Sequence, residues 1–181
     1  ADLSVWGAQV EQQSYVTSYI PTSGASATRN QELCVDATPV INSEEGTLYA
    51  EISALTNGGS TRALSLSNGT GNVIVMIRYR GDTNQIQYLI KDGINADVGN
   101  AYTLTDATQY SKVALKYKSN DISFWVDGIE VSSPTSTISL LGLNDLSFDG
   151  SGTQNFFGNT KGLKYYPKAL ADVQLEDLTT I

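Results

Sequence analysis

Histidine is missing from the 181-residue sequence, and cysteine, methionine and tryptophan number only one, one and two. Without histidine there is no Ser-His-Asp or Cys-His catalysis, no imidazole metal ligand and no histidine acid–base chemistry. An enzyme built on this sequence would have to run on carboxylates, Tyr, Lys or Arg. Cys34 stands alone, so no disulfide can form between residues of this sequence. Basic residues are also few: 11 Lys and Arg face 19 Asp and Glu, for a net charge of −8, and they are dispersed along the chain. That argues against nucleic acid or an anionic membrane as partner. No apolar run approaches the roughly 20 residues that a membrane-spanning helix needs. The segment from Ala1 does not have the pattern of a signal peptide, as would also hold for a mature or excised fragment.

Hydrophobic residues make up 40% of the sequence and charged residues 17%, with 16 glycines and abundant Ser, Thr and Asn. This profile suits one all-β domain with many turns rather than a helical or disordered chain. The length is enough for a single domain with its own core.

The clearest pattern lies between Gln109 and Val131. Val113, Leu115 and Tyr117 alternate with Ala114, Lys116 and Lys118, the period of two of a half-buried strand. Ser119-Asn120-Asp121 breaks it with turn formers, Ile122, Phe124 and Val126 resume it, and Asp127-Gly128 turns the chain into a third strand. Further strands are expected around Leu48–Ile52, Arg62–Ser67, Val73–Arg80, Gln85–Lys91, Tyr102–Leu104, Ile138–Leu143 and Phe156–Tyr166. Shorter ones are expected at Leu3–Trp6 and Leu33–Val35. A spacing of about ten residues with Gly, Asn and Asp turns predicts a β-sandwich or barrel. Asn144–Asn155 reads as a loop, and only Ala171–Leu178 reads as a helix, with Val173, Leu175 and Leu178 on one face.

Three stretches carry a family resemblance. Tyr110–Val131 resembles the core of laminin-G-like, concanavalin A-like jelly rolls, and Lys161–Leu170 with Leu175 resembles their closing segment. Val5–Arg29, VWGAQVEQQSYVTSYIPTSGASATR, resembles an element that precedes such domains in phage tail and virion proteins and in bacterial surface or carbohydrate-active proteins. The resemblance covers most of the chain. It implies a jelly-roll sandwich of two antiparallel sheets, closed by one short helix, with residues 1–30 as an N-terminal strand and extended connection. It also implies a glycan site on a sheet face or in the loops at one edge, and an extracellular or virion-surface location.

Sugar recognition needs aromatic faces for stacking on C–H groups, and amide, carboxylate or guanidinium groups for the hydroxyls. Arg78, Arg80, Gln85, Gln87 and Lys91, with Tyr49 and Glu51 from another strand, could line one polar sheet face. An ordinary solvated face reads the same way. Trp125 alternates away from Phe124 and Val126, as a stacking platform or as packing beneath another element. Trp6 reads as core or interdomain packing. Calcium is the metal that the resemblance implies, and no organic cofactor. Asn144, Asp145, Asp149 and Asn155 offer oxygen ligands in one loop, with Asp127 at a turn, although Asp and Asn are also ordinary turn residues.

No strand carries the alternating carboxylates of a jelly-roll glycosidase, and a Tyr/Arg lyase assembled from Tyr79, Arg78 and Lys91 has nothing further to support it. The sequence therefore predicts a non-catalytic module that binds a polysaccharide or cell-surface glycan. The alternatives are a structural or receptor-binding domain contacting other virion or multidomain-protein segments, and a polysaccharide lyase or hydrolase.

Overall fold

The computed structural model describes residues 19, 21, 23–25, 39–150, 152 and 154–181. The chain divides into two compact units, Ala1–Asp36 and Ala37–Ile181. The strands expected at Leu3–Trp6 and Leu33–Val35, the N-terminal strand, Trp6 and Cys34 lie outside the described residues.

Ten strands follow in order: β1 (Glu45–Ala54), β2 (Arg62–Ser67), β3 (Ile74–Tyr79), β4 (Gln85–Lys91), β5 (Val98–Thr103), β6 (Ser111–Lys118), β7 (Ser123–Val126), β8 (Ile129–Ser132), β9 (Asp145–Ser147) and β10 (Gly158–Tyr166). A helix, α1 (Asp172–Thr179), closes the chain. The strands form two five-stranded antiparallel sheets. The first has the order β10-β1-β6-β7-β8 and the second β5-β4-β3-β2-β9.

Alternation builds the core. Leu48, Ala50 and Ile52 of β1, Val113, Leu115 and Tyr117 of β6, and Phe124 and Val126 of β7 point from the first sheet toward the second. Leu64 and Leu66, Val75, Ile77 and Tyr79, and Ile86, Tyr88 and Ile90 point back from the second. Each large apolar side chain buried this way contributes about 1.5–3 kcal/mol. The inner hydroxyls are partnered too: Tyr79 donates to the Ile52 carbonyl at 3.1 Å and Tyr117 to the Asn42 carbonyl at 2.6 Å. Asn120, Asp127 and Gly128 sit at φ values of 64°, 49° and 81°, the left-handed conformation their turns demand.

Four expectations shift. Ile138–Leu143 is not a strand; it is an extended segment whose Ile138, Leu140 and Leu143 are buried. Side-chain acceptors stand in for a ladder, since the amides of Ile138, Ser139 and Leu143 donate to Ser119 Oγ, Asp92 Oδ2 and Ser43 Oγ. Part of the supposed loop, Asp145–Ser147, pairs with β2 as an edge strand. The strand expected at Tyr102–Leu104 begins earlier, at Val98, where it can pair with the whole of β4. On α1, Leu175 is buried and Leu178 half-buried, but Val173 is 64% exposed.

The helix packs on the outer face of the first sheet. Its Gln174 side chain accepts from the Ala171 amide at 3.1 Å, and Asp172 places a negative charge in the first turn, where the helix dipole favours it. Asp172 and Asp121 grip Lys116 Nζ at 2.8 and 2.7 Å. Burial of Lys116 would lower its pKa, but the two carboxylates outweigh it and the group is held above its ordinary value.

Asp92, just past β4, is buried and accepts hydrogen bonds from Ile94 N, Asn95 N, Asn95 Nδ2 and Ser139 N at 2.7–2.9 Å. Burial pushes its pKa up, but the four donors together pull it down to about 2. A depressed folded-state pKa means stability that is present above the unfolded value of about 3.9 and lost as pH falls through the folded one. Urea denaturation between pH 6 and about 2 should therefore show Asp92→Asn about 2 kcal/mol less stable at the upper end, where donors lose their anionic acceptor. The gap from the unaltered chain should narrow toward the acid end.

Candidate functional site

The residues proposed for a common polar face divide between two faces. Tyr49 and Trp125 lie on the outer face of the first sheet, 5% and 7% exposed, packed with Ala114 and Leu175 beneath α1. The Trp125 indole donates to Ser123 Oγ at 3.1 Å. Neither ring offers a face to a sugar, because the helix needed that apolar surface to dock. Glu51 is on the same strand face and is paired with Lys161 at 3.5 Å.

Arg78, Arg80, Gln85, Gln87 and Lys91 do share a face, the outer face of the second sheet. Strand register arranges it in rows. Ala63, Arg78, Gln87 and Ala101 lie side by side across β2, β3, β4 and β5. Ser147, Ser65, Met76, Leu89 and Gly99 form the next row, and Asp145, Ser67, Ile74 and Lys91 another. Met76, Ile74 and Ala63 form a small buried cluster with Leu89 against it. Arg78 and Gln87 thus stand as a pair between two alanines, next to a row of serine, methionine, leucine and glycine.

Two glutamines orient the Arg78 guanidinium. Arg78 Nε donates to Gln87 Oε1 at 2.8 Å and Nη1 to Gln154 Oε1 at 3.3 Å. Gln154 comes from the 148–157 loop, which is fixed over β2: its carbonyl accepts from Ala63 N at 2.9 Å, and Asp149 Oδ1 accepts from Gln154 N at 3.2 Å. A Cβ on Gly150 would meet Ala63 Cβ at 3.0 Å, so the loop comes this close only through glycine. Ser65 Oγ is within 3.2 Å of Ser147 Oγ, and both hydroxyls reach the Asp149 carbonyl.

Charge balance singles out Arg78. Arg80 is paired with Asp82 at 3.0 Å and Lys91 with Asp97 at 3.2 Å. Arg78 is half-buried and, among the described residues, has amide oxygens but no carboxylate as partners. Its pKa is lowered first by burial and then by the nearby Arg80 cation.

The residues expected to hold calcium do not converge. Asn144 is exposed, Asp145 is in β9 opposite Ser67, the Asp149 carboxylate is engaged by the Gln154 amide, Asn155 is exposed, and Asp127 Oδ1 accepts from Lys112 N at 2.8 Å. Among the described residues, no three acidic or cysteine side chains gather around one point.

A sequence profile of the concanavalin A-like lectin/glucanases superfamily matches residues 22–177. The chain belongs to that superfamily. No curated protein sequence matches it. Among solved structures, the CBM40 domain of the Ruminococcus gnavus IT-sialidase is similar at 15% identity and a TM-score of 0.63, over 77% of this chain and 84% of that one. The same domain bound to alpha2,3 sialyllactose is similar at 14% identity and a TM-score of 0.63, over 76% of this chain and 84% of that one. The NanB sialidase of Streptococcus pneumoniae is similar at 21% identity and a TM-score of 0.63, over 77% of this chain but only 24% of that one. At these identities the likeness establishes the fold, a jelly-roll sandwich. No helix among the described residues is long and apolar enough to cross a membrane.

Sequence reasoning did not find Gln154, Ser65, Ser147 or the Asp149 carbonyl. Their signal is long-range: the 148–157 loop returns onto β2 from more than eighty positions away.

Truncating the ring beneath the helix should separate stability from recognition. Trp125→Ala should cost about 3–5 kcal/mol, read from the urea midpoint. Any ligand affinity of the second sheet's outer face should stay unchanged in the folded fraction.

Proposed function

We propose that this chain is a non-catalytic glycan-binding module that takes an acidic sugar on the outer face of the second sheet. The observation that carries the reading is Arg78. It is half-buried, without a carboxylate partner among the described residues, and oriented by Gln87 and Gln154. A sugar carboxylate supplies the missing counter-ion through charge-assisted hydrogen bonds to the guanidinium. Gln87, Gln85 and the half-buried Ser147 hydroxyl supply donors and acceptors for ring hydroxyls. Half-buried Leu89 gives the apolar contact that sugar C–H groups need. The sialyllactose complex of the R. gnavus domain supports an acidic glycan as the ligand class.

A binding role rather than catalysis follows from the side chains around Arg78. No histidine exists in the sequence, and no pair of carboxylates flanks the guanidinium as a glycosidase would require. An extracellular or surface setting fits a protein whose ligand is a glycan.

Calorimetric titration with alpha2,3 and alpha2,6 sialyllactose, glucuronate oligosaccharides and their neutral counterparts tests the reading. Acidic members should bind and neutral ones should bind far more weakly. Arg78→Met should lower affinity by about ten- to a hundredfold, the worth of hydrogen bonds to a charged group. Arg78→Lys should recover little of it, because an ammonium cannot make the two-pronged contact. Acidic glycans that all fail to bind, or that bind Arg78→Met equally well, would refute it.

The Val5–Arg29 stretch favours a second reading, the host-facing part of a phage tail protein. A stable trimer in native mass spectrometry would support that assembly, and a monomer with sugar affinity the free-standing module.

A further inference from the structure

The two sheets part along the side where β5 edges the second and β8 edges the first. A cleft of about 550 Å³ opens there, inside the range of about 300–1,000 Å³ usual for small-ligand sites. At its floor, the Tyr88 hydroxyl is hydrogen-bonded across the gap to Ser132 Oγ at 3.1 Å. One wall is the 95–100 stretch with Asn100, and the other is the 132–137 segment with Ser136.

One buried carboxylate holds both walls. Asp92 accepts from Ile94 and Asn95 on the first side and from Ser139, next to the second wall, on the other. The cleft is therefore fixed in advance, which reduces the ordering cost of binding.

Its chemistry mixes neutral polar groups with apolar surface. Asp97 is the one charged residue of the lining, and Lys91 pairs with it at 3.2 Å. Asn95, Asn100, Ser132, Ser136 and Thr137 present amides and hydroxyls. No unpaired ion among the lining residues selects a charged ligand, and Ala96, Val98 and Pro134 offer apolar surface suited to the C–H groups of a sugar. An added β-strand is disfavoured as well, because Asn100 Oδ1 already accepts from Ala101 N at 3.0 Å, on the free edge that such a strand would have to pair with.

We propose that this cleft is a second subsite, for a neutral pyranose residue of a glycan. It goes beyond the acidic-sugar face yet adjoins it. Gln87 and Tyr88 are consecutive, so alternation turns one toward Arg78 and the other to the cleft floor. A glycan crossing the β5 edge reaches both.

Amide NMR spectra of the full chain titrated with methyl β-galactopyranoside, methyl α-glucopyranoside and N-acetylglucosamine test this. At least one probe should give saturable shifts at Tyr88, Asn100, Ser132 and Ser136. Ser136→Tyr, which fills the cleft from a half-exposed position, should abolish them, and Asn100→Ala should weaken binding several-fold. Arg78→Met should leave them intact, so failure of the acidic-sugar reading remains distinguishable. No shift with any probe, or shifts that persist in a folded Ser136→Tyr protein, would overturn the proposal.

Discussion

Burial of two inner faces against each other is the constraint on which everything else in this protein depends. Each central strand gives alternate side chains to the space between the sheets, and hydroxyls that enter it, such as those of Tyr79 and Tyr117, arrive with carbonyl partners. Once the inner positions are committed, the outer ones are fixed by the pleat. Function can then reside only on an outer face, in a loop or along an edge.

The two outer faces have opposite fates. On the first sheet, Tyr49, Ala114 and Trp125 make an apolar strip, and α1 covers it with Leu175 while Asp172 joins Asp121 around Lys116. On the second, two glutamines hold a guanidinium that no carboxylate among the described residues neutralises. In a chain of net charge −8, a half-buried arginine without a carboxylate partner among the described residues is a place that favours an anion. The same alternation that presents Gln87 to this face presents Tyr88 to the edge cleft, so both candidate surfaces share one pair of strands.

Much of the fold was readable before any coordinate. Arg62–Ser67 and Gln85–Lys91 are strands with the bounds that their pattern and turns suggest, and the Gln109–Val131 meander supplies Val113, Leu115, Tyr117, Phe124 and Val126 to the core as its alternation requires. Patterns misled where the partner was not another strand. Ile138–Leu143 alternates because it packs against the core edge, while side chains and not a ladder satisfy its amides. Trp125 and Tyr49 point away from the core as expected, yet a helix some fifty or more positions later in the sequence decides that they are covered.

The sequence by itself determined the all-β class, the positions of most strands, the inward face of each, and the exclusion of histidine chemistry. These follow from period, turn residues and composition, all local properties of the chain. Only the tertiary structure decided that Glu51 and Tyr49 belong to a different face from Arg78, that Gln154 returns from a distant loop to hold it, and that Asp92 fixes both walls of an edge cleft. Strand order and loop return are set by packing between residues far apart in the chain, and period-two alternation says which way a side chain points without saying what it meets.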